Sequence, residues 1–215
     1  MSITLESAAR LAALRNKADA VTGESSDTLA GAVDALIAGY GQGSGGGDPY
    51  TLLESIILGT ITEFNYTKEI TTHDYRISFG SLFSYNSKLK KWAVPNLTWT
   101  PGTYMFQQCN GLTYVDLGKP NSFQAAFFYG FAMNRSETKH IIIRTNTIAS
   151  LKGTFTGTNV TNAYFYVPKA LLSDNDADSD YRRATNWSAY ADMFRALEDY
   201  TVDGTAAGEL DMSKV

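Results

Sequence analysis

The stretch SDNDADSDYRRATNWSAY, residues 173–190, sets carboxylates at alternate positions: Asp174, Asp176, Asp178 and Asp180. Alternating aspartates read like the first half of a calcium loop, in which hard oxygen atoms surround the ion. The helix–loop–helix form of that loop also needs a glycine at about its sixth position and a carboxylate at about its twelfth. Counted from Asp174, those positions hold Ser179 and Thr185. The spacing therefore predicts no metal site. It predicts an acidic turn that caps a helix beginning near Asp178, where each carboxylate in the first turn contributes about 0.3–1 kcal/mol.

Other chemistry finds little material. The single cysteine, Cys109, excludes an internal disulfide and a cysteine-based zinc site, and reads as a small buried hydrophobe. The two histidines, His73 and His140, stand in no ligand spacing. GQGSGGG lacks the Lys-Ser/Thr pair of a phosphate loop, and no GxSxG elbow is present. Between residues 50 and 172 the acids are Glu54, Glu63, Glu69, Asp74, Asp116 and Glu137, with no motif around any of them, so paired-carboxylate hydrolysis is not expected. Neither catalytic residues nor a cofactor are expected, and the chain is read as a non-enzyme. What remains is binding. Tyr85, Trp99, Tyr104, Tyr114 and Tyr129, interleaved with Asn and Thr, are the candidate ligand face for a sugar or another protein, and each also fits a core or subunit contact.

Charge narrows the partners. The formal net charge is −4 and the basic residues are dispersed, which argues against a nucleic acid. No apolar run approaches the roughly 18 residues of a membrane span. The first residues, MSITLESAARLAALRNKADAV, lack the pattern of a secretory signal.

Three kinds of segment carry these residues. Over residues 1–40, Leu11, Leu14 and Ala18 recur at helical spacing, and Leu29, Val33 and Leu36 share one face of a second helix. This hairpin has too little apolar area to stand alone and is expected to anchor or oligomerise the protein, with packing on the main domain as the alternative. GQGSGGGDP, residues 41–49, is a flexible tether. An internal repeat follows within residues 50–172. Phe83, Leu89, Trp92 and Val94 share their offsets with Phe106, Leu112, Val115 and Leu117. A third copy runs from Phe131 with Glu137, His140 and Ile142 at the same offsets, and a looser one starts at Phe155. The phenylalanines lie 23, 25 and 24 residues apart, within the period of leucine-rich repeats. Each unit predicts a turn bearing an inward Phe, then a strand with alternate residues inward. Residues 50–80 are expected to supply strands that cap the open N-terminal edge.

FQQCNGLTYVDL, HIIIRTNTIASLKGTFTGTNV, AYFYVPKALL and YRRATNWSAYADMFRALEDY together resemble the BspA-like leucine-rich repeats and the segment that closes many of them, over roughly residues 80–200. Against that family, SDNDADSD looks like an insertion after YVPKALL. An N-terminal hairpin such as AARLAALRNKADAVTG with LAGAVDALIAGYGQG, followed by these repeats, is similar to a layout found in phage and prophage virion proteins of gut bacteria. The resemblance implies a tail-associated or fibre-like virion protein, assembled in the host cytoplasm and displayed outside. It implies contacts with other virion proteins and with a host cell-surface glycan or protein. A homo-oligomer is expected, with a trimer favoured by analogy with fibres. A bacterial leucine-rich-repeat interaction module is the alternative, and a glycan-degrading fibre enzyme a further one.

The expected fold is α+β: a helical hairpin, a short β-rich solenoid, and C-terminal capping helices over residues 173–200. Trp187, Tyr190, Ala191, Phe194 and Leu197 form the apolar stripe of the capping helix, placed to hide the last edge of the sheet. Residues 201–215 read as a tail, loosely held or ordered by a neighbouring subunit.

Overall fold

A strand turns alternate residues to opposite faces, so a short apolar–polar–apolar segment repeated every two dozen residues can stack on copies of itself. The computed structural model shows this stacking; it describes residues 61–65, 83, 85–129, 131, 137–155, 162–172 and 176–215. The hairpin, with Leu11, Leu14, Ala18, Leu29, Val33 and Leu36, and the glycine tether lie outside the described residues.

The molecule is a mostly parallel β-solenoid of about four turns. Its main sheet takes strands β1 (Glu63–Asn65), β2 (Lys91–Ala93), β4 (Tyr114–Asp116), β7 (Lys139–Ile142), β9 (Ala163–Val167) and β10 (Phe194–Ala196) in that order, every pair parallel. Two small parallel pairs line other sides of the coil: β3 (Thr98–Trp99) with β5 (Lys119–Pro120), and β6 (Ser122–Gln124) with β8 (Ser150–Lys152). Register aligns Phe64, Trp92, Val115, Ile141, Phe165 and Phe194 in one row, all buried. β1 extends the ladder at its N-terminal end, in the segment expected to supply capping strands.

The inward phenylalanines of the turns complete the core. Phe83, Phe106 and Phe131 are fully buried. Rings touch from coil to coil, with Trp92 to Phe106 at 5.3 Å, Phe106 to Phe131 at 5.9 Å and Phe128 to Phe155 at 4.9 Å. Each such pair contributes about 0.5–1.5 kcal/mol beyond the area it buries. Asn86 and Cys109, each three residues after the Phe of its turn, donate back to the previous coil: Asn86 Nδ2 to Ile61 O at 3.4 Å, Cys109 Sγ to Phe83 O at 2.8 Å. Gly118 turns the chain out of β4 with φ +60°, and a Cβ there would stand 2.2 Å from Val94 O.

The third repeat departs from the expected phase. The loop before β7 is one residue longer, so Ile141 and Ile143 take the inward positions and His140 and Ile142 face outward. Periodicity counted from Phe131 places the strand one residue early, and a shift of one exchanges the two faces.

The C-terminal segment also differs from the expected helix. Asn186 is left-handed, with φ 65°, and Tyr190 interrupts the helical backbone, so Trp187–Met193 forms only a tight, kinked turn. Phe194 then enters β10, and the sheet continues where a helix was expected to close it. Trp187 still seals the core: its indole donates to Ala149 O at 2.7 Å, and its rings meet Phe155, Phe165 and Phe194. Arg195 Nη1 donates to the carbonyls of Asp192 and Phe194, blunting the edge strand with its own side chain.

The aspartate run splits. Asp174 lies outside the described residues. Asp176 Oδ1 accepts the Asp178 N–H in a turn, and Asp178 is exposed. Asp180 is buried, held by the Arg182 guanidinium at 2.7 Å, which keeps its carboxyl below the usual range despite burial. No helix begins at Asp178. Among the described residues no group of three acidic, His or Cys side chains could hold a metal.

Candidate functional site

Exposed tyrosines gather on the turns that carry the inward phenylalanines. Tyr85, Tyr104 and Tyr129 are 68%, 44% and 39% exposed. Tyr85 and Tyr104 have φ of 63° and 59°, and Gln108, two residues after Phe106 as Tyr85 is after Phe83, has φ 60°. A bulky residue in the left-handed region costs about 1–3 kcal/mol and persists where surrounding structure enforces it. Here the next coil enforces it: the Tyr85 N–H donates to Gln107 O at 2.7 Å, and the Tyr104 N–H to Ala126 O at 3.2 Å. With Phe83 and Phe106 pointing inward, the neighbouring rings stand out from the surface. Tyr104 and Tyr129 meet edge to face at 5.4 Å, which restrains both rings. The result is a rigid aromatic rim with phenol hydroxyls at its tips, able to stack on an apolar face and donate hydrogen bonds at once.

Trp99 and Tyr114 do not belong to this rim. Trp99 is 3% exposed; its indole donates to Leu117 O at 2.8 Å, and its ring packs 5.7 Å from Trp92. Tyr114 is buried on the outer face of the main sheet under the Lys91 ammonium, 4.8 Å from its ring. Burial, with the nearby Asp116 charge, pushes its phenol pKa well up. Alternation alone cannot tell an aromatic facing solvent from one facing a second layer.

That second layer is the tail. Residues 197–210 roof the outer face of the ladder within the same chain, in place of the loosely held or subunit-ordered tail expected from residues 201–215. After the helical turn α1 (Leu197–Tyr200) the chain doubles back, with Val202 N–H to Glu209 O at 3.0 Å and Asp211 N–H to Tyr200 O at 2.8 Å. Leu197 and Leu210 bury themselves against Ala93, Tyr114, Ile142 and Tyr166, an apolar cluster distinct from the solenoid core. Arg144 ties the layers together. Its guanidinium holds Asp116 through Nη2 at 2.7 Å and Nε at 2.9 Å, and its Nη1 donates to Ala206 O at 2.6 Å and Gly208 O at 3.0 Å. Both partners are nearly inaccessible, at 6% and 3% side-chain exposure. Lys91 reaches Glu209 at 2.7 Å, and a cleft of about 140 Å³ remains between ladder and tail.

His140 Nδ1 lies 3.0 Å from the Tyr166 hydroxyl on the same face, and burial lowers the imidazole pKa. Burial pushes the Cys109 thiol up to about 12, the opposite of an activated nucleophile. Arg144 and the tail were missed by sequence reasoning. The one signal available was an arginine directly after the run HIII, at a strand end where an apolar or neutral residue is the norm.

No family model matches the chain, and no curated protein or solved structure shows significant similarity to it.

Proposed function

We propose that this chain is a display and attachment module of a virion: a β-solenoid carried on an N-terminal helical anchor and presenting its aromatic rim to a host-surface glycan or protein. The observation that carries the binding role is the set of exposed Tyr85, Tyr104 and Tyr129 on the turns of the coil, with Tyr104 and Tyr129 ring to ring and the backbone of Tyr85 and Tyr104 left-handed and bonded to the next coil. Rigid aromatic groups bind with little loss of conformational freedom, which is why such rims serve as anchors. The virion setting is supported by the resemblance of the hairpin, tether and repeats to phage proteins. In this reading the segment 1–40 joins other virion proteins and assembles copies of the chain, with a trimer as the expected number. Deleting residues 1–40 should leave the solenoid folded and abolish incorporation into particles. Particles that still carry the truncated chain would overturn the anchoring role.

A further inference from the structure

The tail holds its own shape. Beside the two backbone bonds that close it, Lys214 Nζ donates to Thr201 O at 2.7 Å, and Asp203 Oδ1 accepts from Thr205 N at 2.9 Å and Thr205 Oγ1 at 3.0 Å. The ladder supplies a separate and complementary face. Arg144, oriented by Asp116, offers one Nη1 to two carbonyls two residues apart. Tyr114, Ile142 and Tyr166 form the apolar floor that receives Leu210, and Lys91 meets Glu209. Two of these contacts read backbone, one reads an apolar anchor and one reads a negative charge. That is the recognition pattern of a peptide groove rather than of a continuous core.

We propose that the outer face of the ladder is a peptide groove, filled within one molecule by residues 201–210 and able to accept the same segment from a second copy. A closed loop docking on a preformed face is the arrangement in which exchange between copies is least costly, because every contact made within one molecule is available between two. Short attachment through α1 gives the molecule's own tail an effective concentration of about millimolar, so the groove of an isolated chain stays occupied. Crowding of copies in an assembly shifts that balance toward exchange.

The test uses the full chain carrying Leu210→Asp, which removes the apolar anchor and leaves Arg144, Asp116 and Lys91 in place. The probe is a fluorescent synthetic peptide of residues 197–215, followed by anisotropy. The peptide should bind the Leu210→Asp chain about tenfold or more tightly than the unmodified chain, whose groove is already filled. Adding Arg144→Met to the variant should weaken binding by about tenfold. A folded Leu210→Asp chain that does not bind, or equal binding to both chains, overturns the proposal. Should that variant fail to fold, hydrogen exchange on the unmodified chain decides. The amides of Val202 and Asp211 should exchange about a hundredfold faster than those of Ile143 and His140, because the tail opens alone. Equal protection would make the tail part of the core and overturn the proposal.

Discussion

Replacing Arg144 by methionine isolates the ion pair that joins tail to ladder. The substitution keeps an unbranched apolar stem but not the guanidinium, and removes three bonds to Asp116 and two to the tail. Asp116 would stay beneath the tail, 3% exposed, with its remaining bond from the Gly118 N–H. Breaking a buried pair by removing one partner costs about 3–5 kcal/mol, most of it from the stranded charge. Total stabilities of about 5–15 kcal/mol make this a large loss, readable as a shift of the urea midpoint. The double variant Asp116→Asn with Arg144→Met removes the stranded charge and should recover at least half of the loss. A single variant that loses less than about 1 kcal/mol would refute the reasoning. So would a double variant no more stable than the single one.

Three further outcomes follow from individual residues. Burial holds the His140 pKa below its ordinary value of 6.5, so the unfolded chain takes up that proton first as pH falls. Stability is then complete above pH 6.5 and declines from there toward the lower folded value; His140→Gln should flatten that part of the urea-midpoint profile, and an unchanged slope would contradict it. Gly118→Ala meets both φ +60° and the Val94 carbonyl at 2.2 Å, and should cost more than about 1 kcal/mol in a thermal or urea melt, whereas a neutral result would show the turn to be free to relax. Calcium titration should leave the melting temperature unchanged, and a rise of several degrees would restore a metal site to the acidic turn.

The solenoid was legible because its signal is redundant. Phe, Leu, Trp/Val and Val/Leu recur at fixed offsets, and the inward rows Trp92–Val115 and Val94–Leu117 follow from that recurrence. Phase was less legible. A single added residue before β7 turns His140 outward, and no residue type in that loop announces it. The stretch from Trp187 to Leu197 satisfies a helical period and also supplies an inward Phe194 for one more strand, and the left-handed Asn186 and the kink at Tyr190 decide between them. Of the five candidate aromatics, each of which also fitted a core or subunit contact, Tyr85, Tyr104 and Tyr129 are exposed. Trp99 and Tyr114 are not, since Trp99 faces the core and Tyr114 faces a roof built from the remote segment 197–210. That roof is held by backbone carbonyls of small residues, which leave no trace in hydropathy or spacing.

Attachment through the tyrosine rim is the central claim, and binding of the full chain to host-cell surfaces tests it most directly. Tyr85→Ala, Tyr104→Ala and Tyr129→Ala together remove the rim while leaving the buried rows untouched, so beyond the loss of the Tyr104–Tyr129 ring pair, about 0.5–1.5 kcal/mol, the fold should be retained. The triple variant should lose binding by about a hundredfold relative to the unmodified chain, as expected when aromatic anchors are truncated. A folded triple variant that binds as well as the unmodified chain would contradict the account.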